Sequence, residues 1–287
     1  MLITKLKGGL GNQLFQYAVA RAIGEEFIEP VLIDCTAYAK QKNYRNPDIM
    51  ALNIRATVAT KADIEMFVTF NWLYNRKPNW LTSFTNHTYI ENKFSYNPEI
   101  EYQKPPVFLD GYWQSEKYFE AIKPILQREF TVKEAYISNL QPLTNTIHNS
   151  QAVAIHIRRG DYTNRKLLAV HGVLPLSYYT AAIEQLKATH SNLTFYIFSD
   201  AIQWVKDNWN FGTTPVQYAS LQTTSVLHDF YLMQQCQHFI IANSTLSWWA
   251  AWLSTTNPNK QVIAPKQWFA KGPTDVDDLI PATWQVI

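Results

Sequence analysis

Ala152-Val-Ala-Ile-His-Ile-Arg-Arg-Gly-Asp161 is the stretch from which the rest of the chain can be read. Ala152 to Ile157 is a short apolar, β-branched run, the pattern of a strand buried on both faces. Gly160 ends it, and His156, Arg158, Arg159 and Asp161 crowd that end. Ligands of open α/β sheets sit outside the carboxyl ends of the strands. Two guanidiniums beside a glycine suit an anion with several oxygens, phosphate first. The same residues also fit a structural ion pair between one arginine and Asp161, and the stretch alone leaves both readings open.

Downstream, the spacing predicts helix Leu176–Thr189 opened by Pro175, strand Thr194–Phe198 and a helix from Ala201. Strand Val216–Tyr218, helix Ser225–Gln235, strand Phe239–Ala242, helix Thr245–Leu253 and strand Gln261–Ala264 follow. Strands alternating with helices of this length argue for a parallel sheet covered on both faces. Ser199-Asp200 closes one strand and fits a helix N-cap. Asn243-Ser244-Thr245 places three small polar residues between a buried strand and an apolar helix, where one cap is enough. Extra hydroxyls, free N–H groups and the positive dipole end are what a phosphate-binding helix start offers. Trp248, Trp249 and Trp252 read as core, because the helix is apolar nearly all round. Asp229 fits two roles: a carboxylate accepting from the N1–H and N2–H of a guanine, or an ordinary exposed helix carboxylate.

Upstream, Leu2–Leu6 reads as a strand, followed by Gly8-Gly-Leu-Gly-Asn-Gln13 and a helix. Strand, glycine turn and helix start make an anion-receptive corner, although a plain tight turn fits equally. No Gly-Lys-Ser/Thr follows, and Leu14 stands where a dinucleotide fingerprint needs its third glycine. Val31–Asp34 is a second strand, residues 37–106 blur into aromatic-rich short elements, and Val107–Trp113 is a further strand end. Ser115 caps a predicted helix to about Phe130 that Pro124 divides, and the polar stretch Ser138–Ser150 reads as a linker. The expected domains are 1–145 and 146–287.

Of the 287 residues, 47% are hydrophobic and 17% charged, which describes a globular chain. A net charge of +2 gives no case for a nucleic-acid surface. Cys35 and Cys236 form no C-x-x-C, so buried free thiols are expected. Met1-Leu-Ile-Thr-Lys lacks the pattern of a signal peptide and no apolar run is long enough to span a bilayer, so a cytoplasmic location is expected. Asn-x-Ser/Thr at Asn86, Asn192 and Asn243 are then chance sequons. Asp275-Val-Asp277-Asp278 contains D-x-D, but in a Pro/Gly-flanked tail, which argues against a metal role.

The set Gly8-Gly-Leu-Gly-Asn-Gln-Leu-Phe-Gln-Tyr-Ala18, His156-Ile-Arg-Arg-Gly-Asp-Tyr162, Phe198-Ser-Asp200 and Asn243-Ser-Thr-Leu-Ser-Trp-Trp-Ala-Ala-Trp-Leu253 resembles the α-1,2-fucosyltransferases of glycosyltransferase family 11. The resemblance implies a GT-B-type α/β fold, two Rossmann-like domains facing a cleft, with 1–145 on the acceptor side and 146–287 binding GDP-fucose. It implies inverting transfer of L-fucose from GDP-β-L-fucose to the 2-hydroxyl of a terminal β-galactoside, with no cofactor and no metal. By position, Arg158 would hold the β-phosphate, with His156 and Arg159 near nucleoside or phosphate. Asp229 would read guanine, while Asn243, Ser244 and Thr245 would reach the pyrophosphate. Gly11, Asn12 and Gln13 would approach the fucose, Asn12 with a catalytic role. Asp161 is expected either as the base for the acceptor hydroxyl or as an orienter of arginine. The expected partners are a galactose-terminated oligosaccharide or lipid-linked glycan, with peripheral contact at the inner membrane face. A phosphohydrolase, a different fucosyl linkage and a non-catalytic nucleotide-sugar or glycan binder are the competing readings.

Overall fold

A strand with no polar face must be covered on both sides, and parallel pairing with helical crossovers does this. In a computed structural model of the chain, describing residues 1–39, 47–74, 87–160, 165–273 and 275–287, the apolar runs pair in this way. The chain forms two compact units, Met1–Thr131 with Asp277–Leu279, and Val132–Val276 with Ile280–Ile287.

The first unit contains β1 (Leu2–Lys5), α1 (Leu10–Phe27), β2 (Val31–Asp34), α2 (Thr36–Ala39), β3 (Ala56–Val58), α3 (Lys61–Tyr74), β4 (His87–Ile90), β5 (Val107–Asp110) and α4 (Lys123–Glu129). Its parallel sheet has the order β3-β2-β1-β5-β4. The chain therefore steps outward from β1 on one side and returns to β5 on the other, which makes the β1–β5 boundary a topological switch point. Leu10, Leu14, Phe15 and Ala18 of α1 are buried, as their helical spacing requires. The expected helix from Ser115 is broken: Ser115 caps a single 3₁₀ turn, Glu116–Tyr118, and α4 opens with Pro124 in its first turn. The blurred region 37–106 contributes two strands, β3 and β4, whose side chains are at best half-buried.

The second unit contains α5 (Gln141–His148), β6 (Gln151–Ile157), α6 (Arg165–His171), α7 (Leu176–Thr189), β7 (Leu193–Ser199), α8 (Ile202–Asn208), β8 (Val216–Tyr218), α9 (Val226–Gln234), β9 (His238–Ile240), α10 (Thr245–Leu253), β10 (Val262–Ala264) and β11 (Gln285–Val286). The sheet order is β11-β10-β9-β6-β7-β8, again parallel throughout. Its switch point lies between β6 and β9. Val153, Ile155 and Ile157 alternate onto the face where Tyr179, Ala182, Ile183 and Leu186 of α7 pack. His156 belongs to the opposite face, against α10. Trp248, Trp249 and Trp252 are fully enclosed, as the core reading expects.

Ser138–Ser150 is not a linker. It folds as a 3₁₀ turn and α5, with Leu140, Leu143 and Ile147 buried beneath a polar outer face that dominates the composition. The first unit accordingly ends at Thr131, ahead of the expected boundary at 145. Cys35 and Cys236 are both free thiols. Among the described residues no helix is long and apolar enough to cross a membrane.

Two imidazoles of this unit are held neutral. Burial, and to a lesser extent the nearby His190 ring, brings His238 down to about 4, and its Nδ1 accepts from the Gln261 N–H. Burial and then the Arg158 charge hold His156 well below 6.5. In the unfolded chain both titrate near 6.5. The stability they contribute is therefore complete above pH 6.5 and is lost as pH falls towards 4. Thermal melts should show Tm dropping through that window, with a shallower drop in His238→Asn. A wild-type Tm flat from pH 7 to 4.5 would show that neither ring is held neutral.

Candidate active site

The register aligns Ile157 of β6 with Ser199 of β7, so the two strands end together. Asp200 curls over the end of β6. Its Oδ1 accepts from the N–H groups of Arg159 and Gly160, both at 2.9 Å, and its Oδ2 lies 3.1 Å from Nη1 of Arg158. Burial alone would raise the Asp200 carboxyl, but Arg158 and the two backbone donors bring it below the usual carboxylate value. A Cβ on Gly160 would stand 3.0 Å from this carboxylate, so glycine is what lets it dock. Asp200 is thus not a helix cap; Ser199 Oγ takes the Ala201 N–H instead. Asp161 lies outside the described residues. The Arg159 guanidinium carbon lies 3.6 Å from the Trp204 ring centroid.

The network continues along the carboxyl edge of the sheet. The Ser199 N–H donates to Ser220 Oγ at 3.0 Å, and Ser220 donates to Asp229 Oδ2 at 2.8 Å. Thr223 donates to Asp229 Oδ1 at 2.7 Å. Burial raises the Asp229 carboxyl, and the two hydroxyls partly offset that. Each carboxylate oxygen retains a lone pair, so the group can still accept a pair of N–H donors. Asp200, Ser220 and Thr223 were not among the site residues expected from sequence. Ser-Asp at a strand end looks like a cap, and the hydrogen-bonded partners lie 6 to 41 residues apart.

Across the switch point, Ser244 is the N-cap residue of α10 but makes no side-chain cap. Among the described residues the Ser244 and Thr245 hydroxyls have no hydrogen-bond partner, and the first N–H groups of α10 have no intrahelical acceptor. Asn243 has a structural role: its Nδ2 donates to the carbonyls of His171 (2.8 Å) and Trp268 (3.1 Å), tying two loops. His156 is buried and pairs through Nδ1 with Ser247 Oγ at 2.8 Å, linking β6 to the first turn of α10. Arg158 and the Ser244–Thr245 hydroxyls therefore belong to strand ends that flank the β6–β9 boundary.

In the first unit, Gln13 is fully buried with both ends of its amide used: Nε2 donates to the Gly8 carbonyl and Oε1 accepts from Ile49 N–H. Both bonds hold the loop. Gly11 lies buried in the first turn of α1. Asn12 Oδ1 accepts from Gln114 Nε2 at 2.9 Å. Asp278 of the D-x-D pairs with Lys117 and accepts from the Tyr96 N–H. Among the described residues no three His, Cys, Asp or Glu side chains are grouped to hold a metal.

The model of Glycosyl transferase family 11 matches residues 1–284. The chain belongs to this family. An Escherichia coli α-1,2-colitosyltransferase is 32% identical to this family 11 chain over 292 residues, covering 99% of the chain and 98% of the relative. A Bos taurus galactoside 2-α-L-fucosyltransferase is 29% identical over 86% of the chain and 63% of its own length. The crystal structure of POFUT1 in complex with GDP-fucose shares the fold, with a TM-score of 0.53 and 13% identity over 91% of this chain and 97% of that one.

The Asp200 clamp can be tested in this family 11 chain without a substrate. Asp200→Ala removes the ion pair and the backbone acceptor together and should cost about 1–2 kcal/mol in urea unfolding. Asp200→Asn keeps an oxygen for the two N–H groups and should cost less. Equal losses would mean that the backbone bonds carry no share.

Proposed function

We propose that this chain transfers L-fucose from GDP-β-L-fucose to the 2-hydroxyl of a terminal β-galactoside, with inversion and without a metal. The observation that carries this reading is the pairing at the β6–β9 switch point. A guanidinium aligned by a carboxylate stands on one strand end, and uncommitted hydroxyls at a helix N-terminus stand on the next. Breaking the fucosyl–phosphate bond leaves growing negative charge on GDP. Donors already fixed in place stabilise that charge without reorganising, so they act more strongly in the transition state than in the ground state. Arg158, Ser244, Thr245 and the amides of α10 supply them, and a divalent cation has no step to perform. Asp229, held by Ser220 and Thr223, accepts from the guanine edge. Asp161 is the proposed base. Asp200 already orients Arg158, which leaves the residue after Gly160 for the acceptor proton.

The Bos taurus relative supports the galactoside and the linkage, and POFUT1 with GDP-fucose supports the donor. The Escherichia coli relative favours a second reading, transfer of colitose, which is fucose without its 3-hydroxyl, through the same 1,2 linkage.

Incubation with GDP-fucose or GDP-colitose and a panel of β-galactosides, with NMR assignment of the product, decides between them. The expected product is an α-1,2-fucosyl galactoside formed at full rate in EDTA. Turnover with GDP-colitose alone would replace the donor, and GDP release with no new glycosidic bond would overturn the reading. Arg158→Ala should lower kcat roughly 10²- to 10³-fold, about 3–4 kcal/mol. Near-normal turnover in that variant would remove Arg158 from the mechanism. Asp161→Asn should abolish most turnover while leaving donor affinity intact; a substantial residual rate would exclude it as the base.

A further inference from the structure

The first unit has its own switch point, between β1 and β5, flanked by the Gly8–Gly9 turn with the first residues of α1 and by the loop Gly111–Gln114. The Gln114-to-Asn12 hydrogen bond spans it. Most polar groups around it are satisfied. The Gly8 carbonyl accepts from both Gln13 and the Tyr38 hydroxyl, and Gln16 pairs with both backbone groups of Lys7. Asp110, at the same strand end, is shared by Lys5 at 2.7 Å and Lys7 at 2.9 Å.

Two neighbours in the loop after β5 are exceptions, the Trp113 indole Nε1 and Gln114, and only Gln114 pairs with the facing loop. Gln114 is 7% exposed, and its Oε1 is buried with no hydrogen-bond partner. Turning both amides over would leave a nitrogen unpaired in place of the oxygen, so one end of Gln114 is unpaired in either orientation. Buried polar groups are nearly always paired, because the lost hydration is not otherwise recovered. Asn12 Nδ2 likewise has no partner among the described residues. Gly8 makes room for it: φ is 81° there, and a Cβ would come within 2.6 Å of that nitrogen.

A neutral amide oxygen beside a neutral amide N–H₂ matches a hydroxyl, which donates and accepts at one atom. An anion would gain nothing from the oxygen. We propose that Gln114 is a sugar-binding residue: its Oε1 accepts from, and Asn12 Nδ2 donates to, one pyranose hydroxyl at the β1–β5 switch point. This rests on the sugar-transfer reading for its substrates, and that hydroxyl belongs either to the donor sugar or to the acceptor galactoside.

The test uses Gln114→Met, close in shape, and Gln114→Leu in case the first is poorly folded. Gln114→Met removes the unpaired oxygen together with the bond to Asn12, two opposing effects that should leave Tm little changed, whereas removing a purely structural residue would lower it. KM for one of the two substrates should rise about tenfold, the size of one hydrogen bond to an otherwise unpaired neutral group, with kcat little changed. Whichever KM moves names the sugar. Deoxy analogues of that sugar then locate the hydroxyl: one deletion should cost wild type about tenfold and the variant nothing. Saturation-transfer NMR with methyl β-D-galactoside and L-fucose reads binding independently of turnover. If the enzyme transfers nothing, yet the variants no longer bind a sugar that wild type binds, this site stands and the transfer reading falls. Sugar binding and KM values unchanged in the variants, or a lowered Tm with neither sugar affected, would overturn it.

Discussion

The Asp200 carboxylate is the point on which the second unit's site depends. It takes two backbone N–H groups from the turn after β6 and one guanidinium from the same turn. Three donors on one carboxylate offset the cost of drawing it partly out of water, and they leave Arg158 a narrow range of directions. Gly160 is the steric condition for this, since any side chain there would press on the carboxyl group. From the same strand end, the Ser199 N–H carries the network through Ser220 to Asp229. Charge and dipole are therefore fixed before any ligand arrives, which is the property that lets a site stabilise a departing diphosphate.

Both units place polar contacts where a parallel sheet reverses its order. At β6–β9 the His156–Ser247 bond links β6 to the first turn of α10. At β1–β5 the Asn12–Gln114 bond links the first turn of α1 to the loop after β5. The chemistry differs: the second unit offers a cation and hydroxyls, the first a pair of neutral amides beside a carboxylate shared by two lysines. The proposed roles follow that difference, a diphosphate for one and a sugar hydroxyl for the other.

Much of the second unit was legible in the sequence because its central strands β6, β7 and β9 are buried on both faces and its helices begin sharply. Leu176–Thr189 after Pro175 and Thr245–Leu253 stand where their patterns put them. β3 and β4 were not legible, since half-exposed edge strands carry no apolar run. Ser138–Ser150 misled because a helix lying on the surface shows its polar face to composition and only Leu140, Leu143 and Ile147 to the core. In the candidate site, residue type pointed to Arg158, Ser244 and Asp229, but pairing over long separations did not follow. Asp200 reads locally as a cap, Arg159 as a second phosphate ligand and Gln13 as a donor to ligand. The fold gives them instead to the β6 turn, to Trp204 and to the Gly8 loop. Gln114 carries no motif at all; only its buried, unpaired oxygen singles it out.

The central claim is that a diphosphate sits over the β6–β9 boundary, met by Arg158 and the start of α10. A crystal structure with GDP bound measures this directly. The expected result is a β-phosphate oxygen within hydrogen-bond distance of the Arg158 guanidinium and of the Ser244 or Thr245 hydroxyl, with the guanine edge on Asp229. A nucleotide lodged at another edge of the sheet, touching none of these, would contradict it.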